Sequence, residues 1–229
     1  VVRDVGAGAD RAAMTPIVLL AFGSRDATIE APFARVLDTL RPDLVIHGAC
    51  GLDENDEIDP DRMKGADGIA HRLAGARGIL IRPFPAAWKR LGKRAGMERN
   101  RHQYLIGRPS LAMGQIVGRV GTKMSPGSAG MLGVCLRGIP AQPPCPVVVY
   151  RDNGIEPHAH LGVALSQLRR LYAVTRDPAL IIPGQALASH CEIGEPPADE
   201  VLAALAYARE GSRWAPWIEA VEATVNKGA

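Results

Sequence analysis

The sequence predicts an α/β fold, a doubly wound parallel sheet with a mainly helical C-terminal extension. Short, unbroken apolar runs recur through the first 150 residues, as strands covered on both faces of a parallel sheet require. Amphipathic helical stretches separate these runs, and glycine-bearing turns close their carboxyl ends. Hydrophobic residues make up 47% of the chain but aromatics only 4%, so the core must be built from Ala, Val, Ile and Leu. At 229 residues the chain is long enough for one well-buried domain and an appendage.

Residues 1–13 (VVRDVGAGADRAA) have no leader-like apolar centre and read as a loose extension, with Met14 as the natural start. Residues 14–150 are the expected α/β domain. The run 17–22 (IVLLAF) is its first strand, closed by Gly23-Ser24-Arg25-Asp26. Gly23 lets the backbone turn, Ser24 offers a hydroxyl donor, and Arg25 can fork onto a phosphate or carboxylate. Residues 31–40 place Phe33, Val36, Leu37 and Leu40 at helical spacing. Residues 44–46 form the second strand and deliver His47-Gly48-Ala49 to its mouth, where His47 either touches a ligand or is satisfied by backbone.

An acidic insert follows at 51–64, carrying Asp53, Glu54, Asp56, Glu57, Asp59 and Asp61. It lacks the spacing of a calcium loop and reads as a surface excursion. Gly65-Ala66-Asp67 opens the next helix, with Asp67 favourable to the dipole in the first turn. A third strand at 79–81 leads into a loop that Pro83 and Pro85 keep extended and Trp88 packs down. Gly92 and Gly96 hold the chain irregular until a helix starts near Met97. Residues 117–124 (VGRVGTKM) are a diluted strand candidate. Pro126-Gly127-Ser128-Ala129-Gly130 is a second glycine-rich turn, entering an apolar helix through Leu132 and Leu136, and 146–150 is the last strand.

Residues 151–229 are expected to supply helices at 159–172, 198–210 and 214–225, with a turn at 181–184. These helices pack on the sheet or on a partner subunit, the latter in a homodimer.

A net charge of +3 is far from the dense basic footprint of a dedicated nucleic-acid binder. The local cluster Lys89, Arg90, Lys93, Arg94, Arg99 and Arg101 is either a solvated helix face or part of a site. Four cysteines without CxxC pairing point to a reducing cytoplasm rather than a zinc or disulfide framework. Cys50 reads as a small filler more than as a reactive thiol. His158 and His160 stand two apart, share no helix face and have no third ligand, so no metal site is expected. No apolar run approaches the roughly 20 residues of a membrane span.

Taken as an ordered series, Gly23-Ser24-Arg25, His47-Gly48-Ala49, Gly65-Ala66-Asp67, Phe84-Pro85-Ala86-Ala87-Trp88, Gly92-Lys93, Ala95-Gly96 and Arg99-Asn100 resemble the YspA/YpsA-related branch of the SLOG superfamily. That superfamily takes its name from Smf/DprA and LOG proteins. The likeness spans about residues 17–140, with the acidic insert separating two motifs that usually lie close together. It implies a Rossmann-like fold that binds nucleotides or nucleotide-derived ligands. LOG-type relatives cleave the N-glycosidic bond of nucleoside monophosphates through a PGGxGTxxE motif. Here Pro126, Gly127 and Gly130 are kept, but the threonine position is Met131 and the glutamate position is Val134. The resemblance therefore implies a phosphate cradle of backbone N–H groups without that acid/base carboxylate.

The expected function is that of a SLOG-type protein sensing or carrying a nucleotide or nucleotide-sugar phosphate, with no separate cofactor implied. Ser24, Arg25 and the turn Pro126, Gly127, Ser128, Ala129 and Gly130 would hold phosphate, next to Gly23. Gly48, Gly65 and Asp67 would shape the ribose side, and His47, Ala49 and Ala66 are expected among the ligand-binding residues. Lys93, Arg99 and Asn100 would complete the pocket. One alternative is a LOG-like phosphoribohydrolase with Asp67 as the catalytic carboxylate. Another is DprA-like single-stranded DNA binding through Lys93 and Arg99, which the shortage of stacking aromatics disfavours.

Overall fold

The computed structural model describes residues 16–193 and 196–228. The expectations for residues 1–13 and for a start at Met14 lie outside the described residues. The chain runs β1 (Val18–Gly23), α1 (Ala31–Leu40), β2 (Leu44–His47), α2 (Gly65–Gly75), β3 (Leu80–Pro83) and α3 (Trp88–Leu91). It continues through α4 (Ala95–Gly107), β4 (Leu111–Gln115), α5 (Pro126–Arg137), β5 (Val147–Arg151) and β6 (Gly154–Ile155). The C-terminal helices are α6 (Leu161–Thr175), α7 (Ile181–Ile193), α8 (Ala198–Arg209) and α9 (Ala215–Gly228).

Among the described residues the sheet has six strands in the order β3-β2-β1-β4-β5-β6. Every pairing is parallel except β5 with β6. The chain winds outward from β1 to β3, then crosses back to start again at β4. The topological switch point lies between β1 and β4, the place where such sheets open a crevice at their carboxyl ends.

Period-two alternation sorts the strand residues onto two faces. Leu19, Ala21, Val45, Met113, Val148 and Tyr150 join the core under α1, α2 and the C-terminal helices. Leu20, Phe22, Ile46, Ala112, Val147 and Val149 join a second core under α4 and α5. The helices after residue 151 belong to the first core, where Trp217, Ile218 and Val221 of α9 are buried with Leu19 and Met113. The Trp217 indole N–H also donates to the Ala112 carbonyl at 3.3 Å. The fold is thus the expected doubly wound α/β architecture with a helical C-terminal region. Among the described residues no helix is long and apolar enough to cross a membrane.

Two local expectations need correction. Residues 117–124 are not a strand. The fourth strand is Leu111–Gln115, and the chain beyond it is a loop in which Gly118 and Gly121 take positive φ. Its N–H groups are held by side chains, Gly118 donating to Asp152 and Val120 to Asn153. Residues 181–184 are not a turn either, because they open α7. Pro183 falls within the first helical turn, where its missing N–H costs nothing. The helix expected near Met97 begins slightly earlier, at Ala95.

Candidate functional site

A cleft of about 500 Å³ opens at the switch point, over the carboxyl ends of β1 and β2. Three helices present their first turns to it, through Asp67 of α2, Gly96 and Met97 of α4, and Pro126, Gly127 and Ser128 of α5. Each first turn carries N–H groups that the helix itself does not use, and a partial positive charge. Three such ends around one cavity make a strongly anion-favouring space.

Close backbone approach builds the inner wall. Gly65 stands at φ +57°, and a Cβ there would collide with the Ser24 carbonyl oxygen. Glycine is required on both counts. The Ala66 N–H donates to that same Ser24 carbonyl at 3.0 Å, and the Ser24 N–H donates to Gln115 O at 2.9 Å. The end of β1 is thereby pinned to both α2 and β4. The Ser24 hydroxyl accepts from the Val117 N–H at 3.1 Å, which leaves its own proton to donate.

A chain of polar contacts ties the helix ends together. Asp67 is almost fully buried and accepts from the Cys50 N–H at 3.0 Å. Arg99 of α4 brings its Nη1 to 4.0 Å from Asp67 Oδ2 and donates to the Gly48 carbonyl. Its Nε donates to Asn100 Oδ1 at 3.0 Å, and Asn100 Nδ2 donates to Gly127 O at 3.1 Å. A Cβ at Gly48 would meet the end of the Arg99 side chain and oblige the guanidinium to shift. Ser125 caps α5, its Oγ accepting from the Ser128 N–H at 3.3 Å.

Burial pushes the Asp67 carboxyl above the usual aspartate range, opposed by Arg99 and by the Cys50 and Gly48 N–H groups. Burial and the neighbouring Asp67 also push the Cys50 thiol up, which argues against a reactive thiolate.

The structure brings most of the expected residues together. Gly23, Ser24, Arg25, Gly48 and Asp67 line the cleft on the side of β1, β2 and α2. Lys93, Arg99, Asn100, Pro126, Gly127 and Ser128 line it from α5, α4 and the turn before α4. Gly65 and Ala66 lie behind that lining and shape the backbone, as described above. Ala129 and Gly130 lie in α5 outside the cleft lining, and Ala49 is buried with Leu52 and Met63 of the acidic insert.

His47 is fully buried and turns from the cleft to the other side of β2. Its Nδ1 accepts from the Ala49 N–H at 3.1 Å, and its Nε2 faces His71 Nδ1 at 3.0 Å. With Nδ1 accepting, Nε2 must carry the proton and donate to His71. Burial, then His71 and Arg99, hold the His47 pKa down at about 3, so the ring is neutral.

Sequence reasoning missed Phe22, Asp26, Trp88, Gly96, Met97, Gln103, Ser125 and Met131 as lining residues, and preferred a filler role for Cys50, which also lines the cleft. Met131 sits where the resemblance places a threonine, and it lines the cleft. Val134 packs partly buried against the core under α5. The acidic insert is not a simple surface excursion. Leu52, Asp53 and Met63 are buried, and Asp53 accepts from the Lys89 N–H at 3.0 Å. Glu54 takes a two-pronged contact from Arg90 at 3.0 and 2.9 Å.

Fold and site together define a doubly wound α/β chain with a ligand-sized, anion-favouring cleft at its switch point. No protein-family model and no curated protein matches the sequence.

Proposed function

We propose that this chain is a SLOG-type protein that binds a nucleotide or nucleotide-derived phosphorylated ligand in the switch-point cleft, and senses or carries it. The observation that carries the reading is the convergence of the first turns of α2, α4 and α5 on one cavity. Arg25 and Lys93 stand exposed at its rim and can reach a phosphate, while Ser24 retains a hydroxyl proton to donate. Met131 and Val134 put no carboxylate on α5, which favours binding over LOG-type hydrolysis. Titration calorimetry against AMP, ADP-ribose and the common nucleoside monophosphates tests the reading. Saturable binding below millimolar concentration is expected from at least one, and no heat from any of them at millimolar concentration rejects it.

One observation favours a second reading. Asp67 is a buried carboxyl beside the cleft whose pKa is raised, the property a general acid needs. Release of free base from a nucleoside monophosphate, abolished by Asp67→Asn, would establish hydrolysis. Intact nucleotide after long incubation with the wild type would reject it.

A further inference from the structure

We propose that Gln103 reads the base of the bound nucleotide, so that the cleft selects its ligand by a nucleobase edge as well as by phosphate. This inference rests on the nucleotide reading above and assigns a further contact within the same cleft.

Gln103 lies on α4, one helical turn beyond Arg99 and Asn100. Its side chain is 1% exposed and lines the cleft. Neither its Nε2 nor its Oε1 has a hydrogen-bond partner in the protein. A buried carboxamide with both groups unmatched is costly, and native proteins seldom leave one that way without a purpose. Asn100, on the same helix, differs sharply. Its Oδ1 receives Arg99 and its Nδ2 donates to Gly127 O, so it is spent on holding the helices together. Gln103 is the inward amide that the fold has not used.

The surroundings fix what it can recognise. Phe22 from β1 and Met131 from α5 line the same cleft and are both buried, giving apolar walls. Of the cleft's cations, Arg25 and Lys93 stand exposed at the rim, and Arg99, one turn away on α4, is committed to Gly48 and Asp67. A phosphate offers only acceptors, so it would leave the Gln103 carbonyl unmatched. A nucleobase edge presents a donor and an acceptor side by side on a flat, weakly polar ring, which is what a carboxamide between apolar walls matches. Phosphate thus belongs with the helix ends and base with Gln103.

Calorimetry with AMP, IMP, GMP, CMP, UMP and ribose 5-phosphate tests this on the wild type, Gln103→Leu and Gln103→Glu. The wild type is expected to rank the bases. Gln103→Leu should weaken the preferred nucleotide by about 10-fold or more and flatten the ranking, while ribose 5-phosphate stays within about twofold. Gln103→Glu, which loses the amide donor, should move the preference towards bases that present an amino group. A ranking that survives Gln103→Leu unchanged would overturn the inference and leave the nucleotide reading standing. Failure of the wild type to bind any of the six or ADP-ribose would overturn both. The ligand-free melting temperature adds an independent readout. Gln103→Leu should leave it unchanged or raise it, whereas a clear fall would mean the amide is satisfied within the fold by bound water, against the proposal.

Discussion

Replacing Arg99 by Met probes the contact network at its centre. The substitution keeps the aliphatic stem and removes the guanidinium that stands 4.0 Å from Asp67 Oδ2. At an effective dielectric of about 20, unit charges at that separation attract by about 4 kcal/mol. Removing one partner of a buried pair costs about 3–5 kcal/mol. Asp67 is 9% exposed and Arg99 18%, so a loss near the lower figure, about 3 kcal/mol, is expected at about pH 8. The loss should depend on pH. Asp67 already has a raised pKa in the folded chain, so its contribution is greatest below the ordinary aspartate value and declines as pH rises through the folded value. Without Arg99 the folded value climbs further, and the penalty for a charged Asp67 grows. Urea unfolding at about pH 4 and about pH 8 should therefore show a much smaller deficit at the lower pH. Adding Asp67→Asn to Arg99→Met should recover most of the loss. An equal deficit at both pH values, or strict additivity of the two substitutions, would refute the assigned pairing.

Gly65→Ala should cost about 2–4 kcal/mol, because φ +57° and the Ser24 carbonyl both exclude a Cβ; calorimetry should show Tm falling by about 5–10 °C, and an unchanged Tm would contradict the backbone geometry. His47 has its pKa depressed to about 3, so the stability it contributes is complete above the ordinary value of about 6.5 and is lost as pH falls towards about 3. The urea midpoint should drop across that interval, and His47→Gln should flatten the drop. His158, depressed to about 4 by burial, adds a slope of the same sign that His47→Gln leaves in place. A profile unaffected by His47→Gln would show that the ring accepts its proton without unfolding.

How far the sequence discloses the fold depends on whether local pattern or tertiary contact chose each residue. The runs 18–22, 44–46 and 147–150 within β1, β2 and β5 are almost wholly apolar because both their faces are covered, so they stand out by composition. Strand β4 (LAMGQ) is equally buried but does not look it. Gly114 is small because the Phe22 ring lies over it, a Cβ there coming within 2.6 Å of the ring. Gln115 is polar in a buried place, and nothing local announces either constraint. The glycine and serine turns of the cleft were legible because their chemistry is set by backbone geometry. Phe22, Met131 and Gln103 were not, since each is an ordinary residue that acquires a role only when α4 and α5 meet over β1. A faint signal existed on α4. Asn100 and Gln103 stand three apart on its buried side, two amides beside the core residue Tyr104.

The acidic insert shows how a local departure from a familiar motif order can be absorbed by the fold. Leu52 and Met63 bury themselves against Ala49, so the excursion is anchored at both ends by the hydrophobic effect. Asp53, buried and hydrogen-bonded to the Lys89 N–H, fixes the stretch that begins with Trp88 at the mouth of the cleft. Around this anchor, Glu54 meets Arg90, and Asp56 meets Arg62 and more distantly Lys89. The exposed pairs add little stability on their own. Their larger consequence is electrostatic, because they cancel two of the cations that made 89–101 look like a basic footprint. Of the cations that remain, Arg25 and Lys93 line the cleft together with Asp26, Arg99 stands beside Asp67, and Arg94 and Arg101 stay exposed outside the lining. A polyanion gains from many cations spread along its length, and pairing Lys89 and Arg90 with the insert shortens the row available to one. The insert therefore takes two cations out of the basic cluster, and does so through residues that the familiar motifs do not contain.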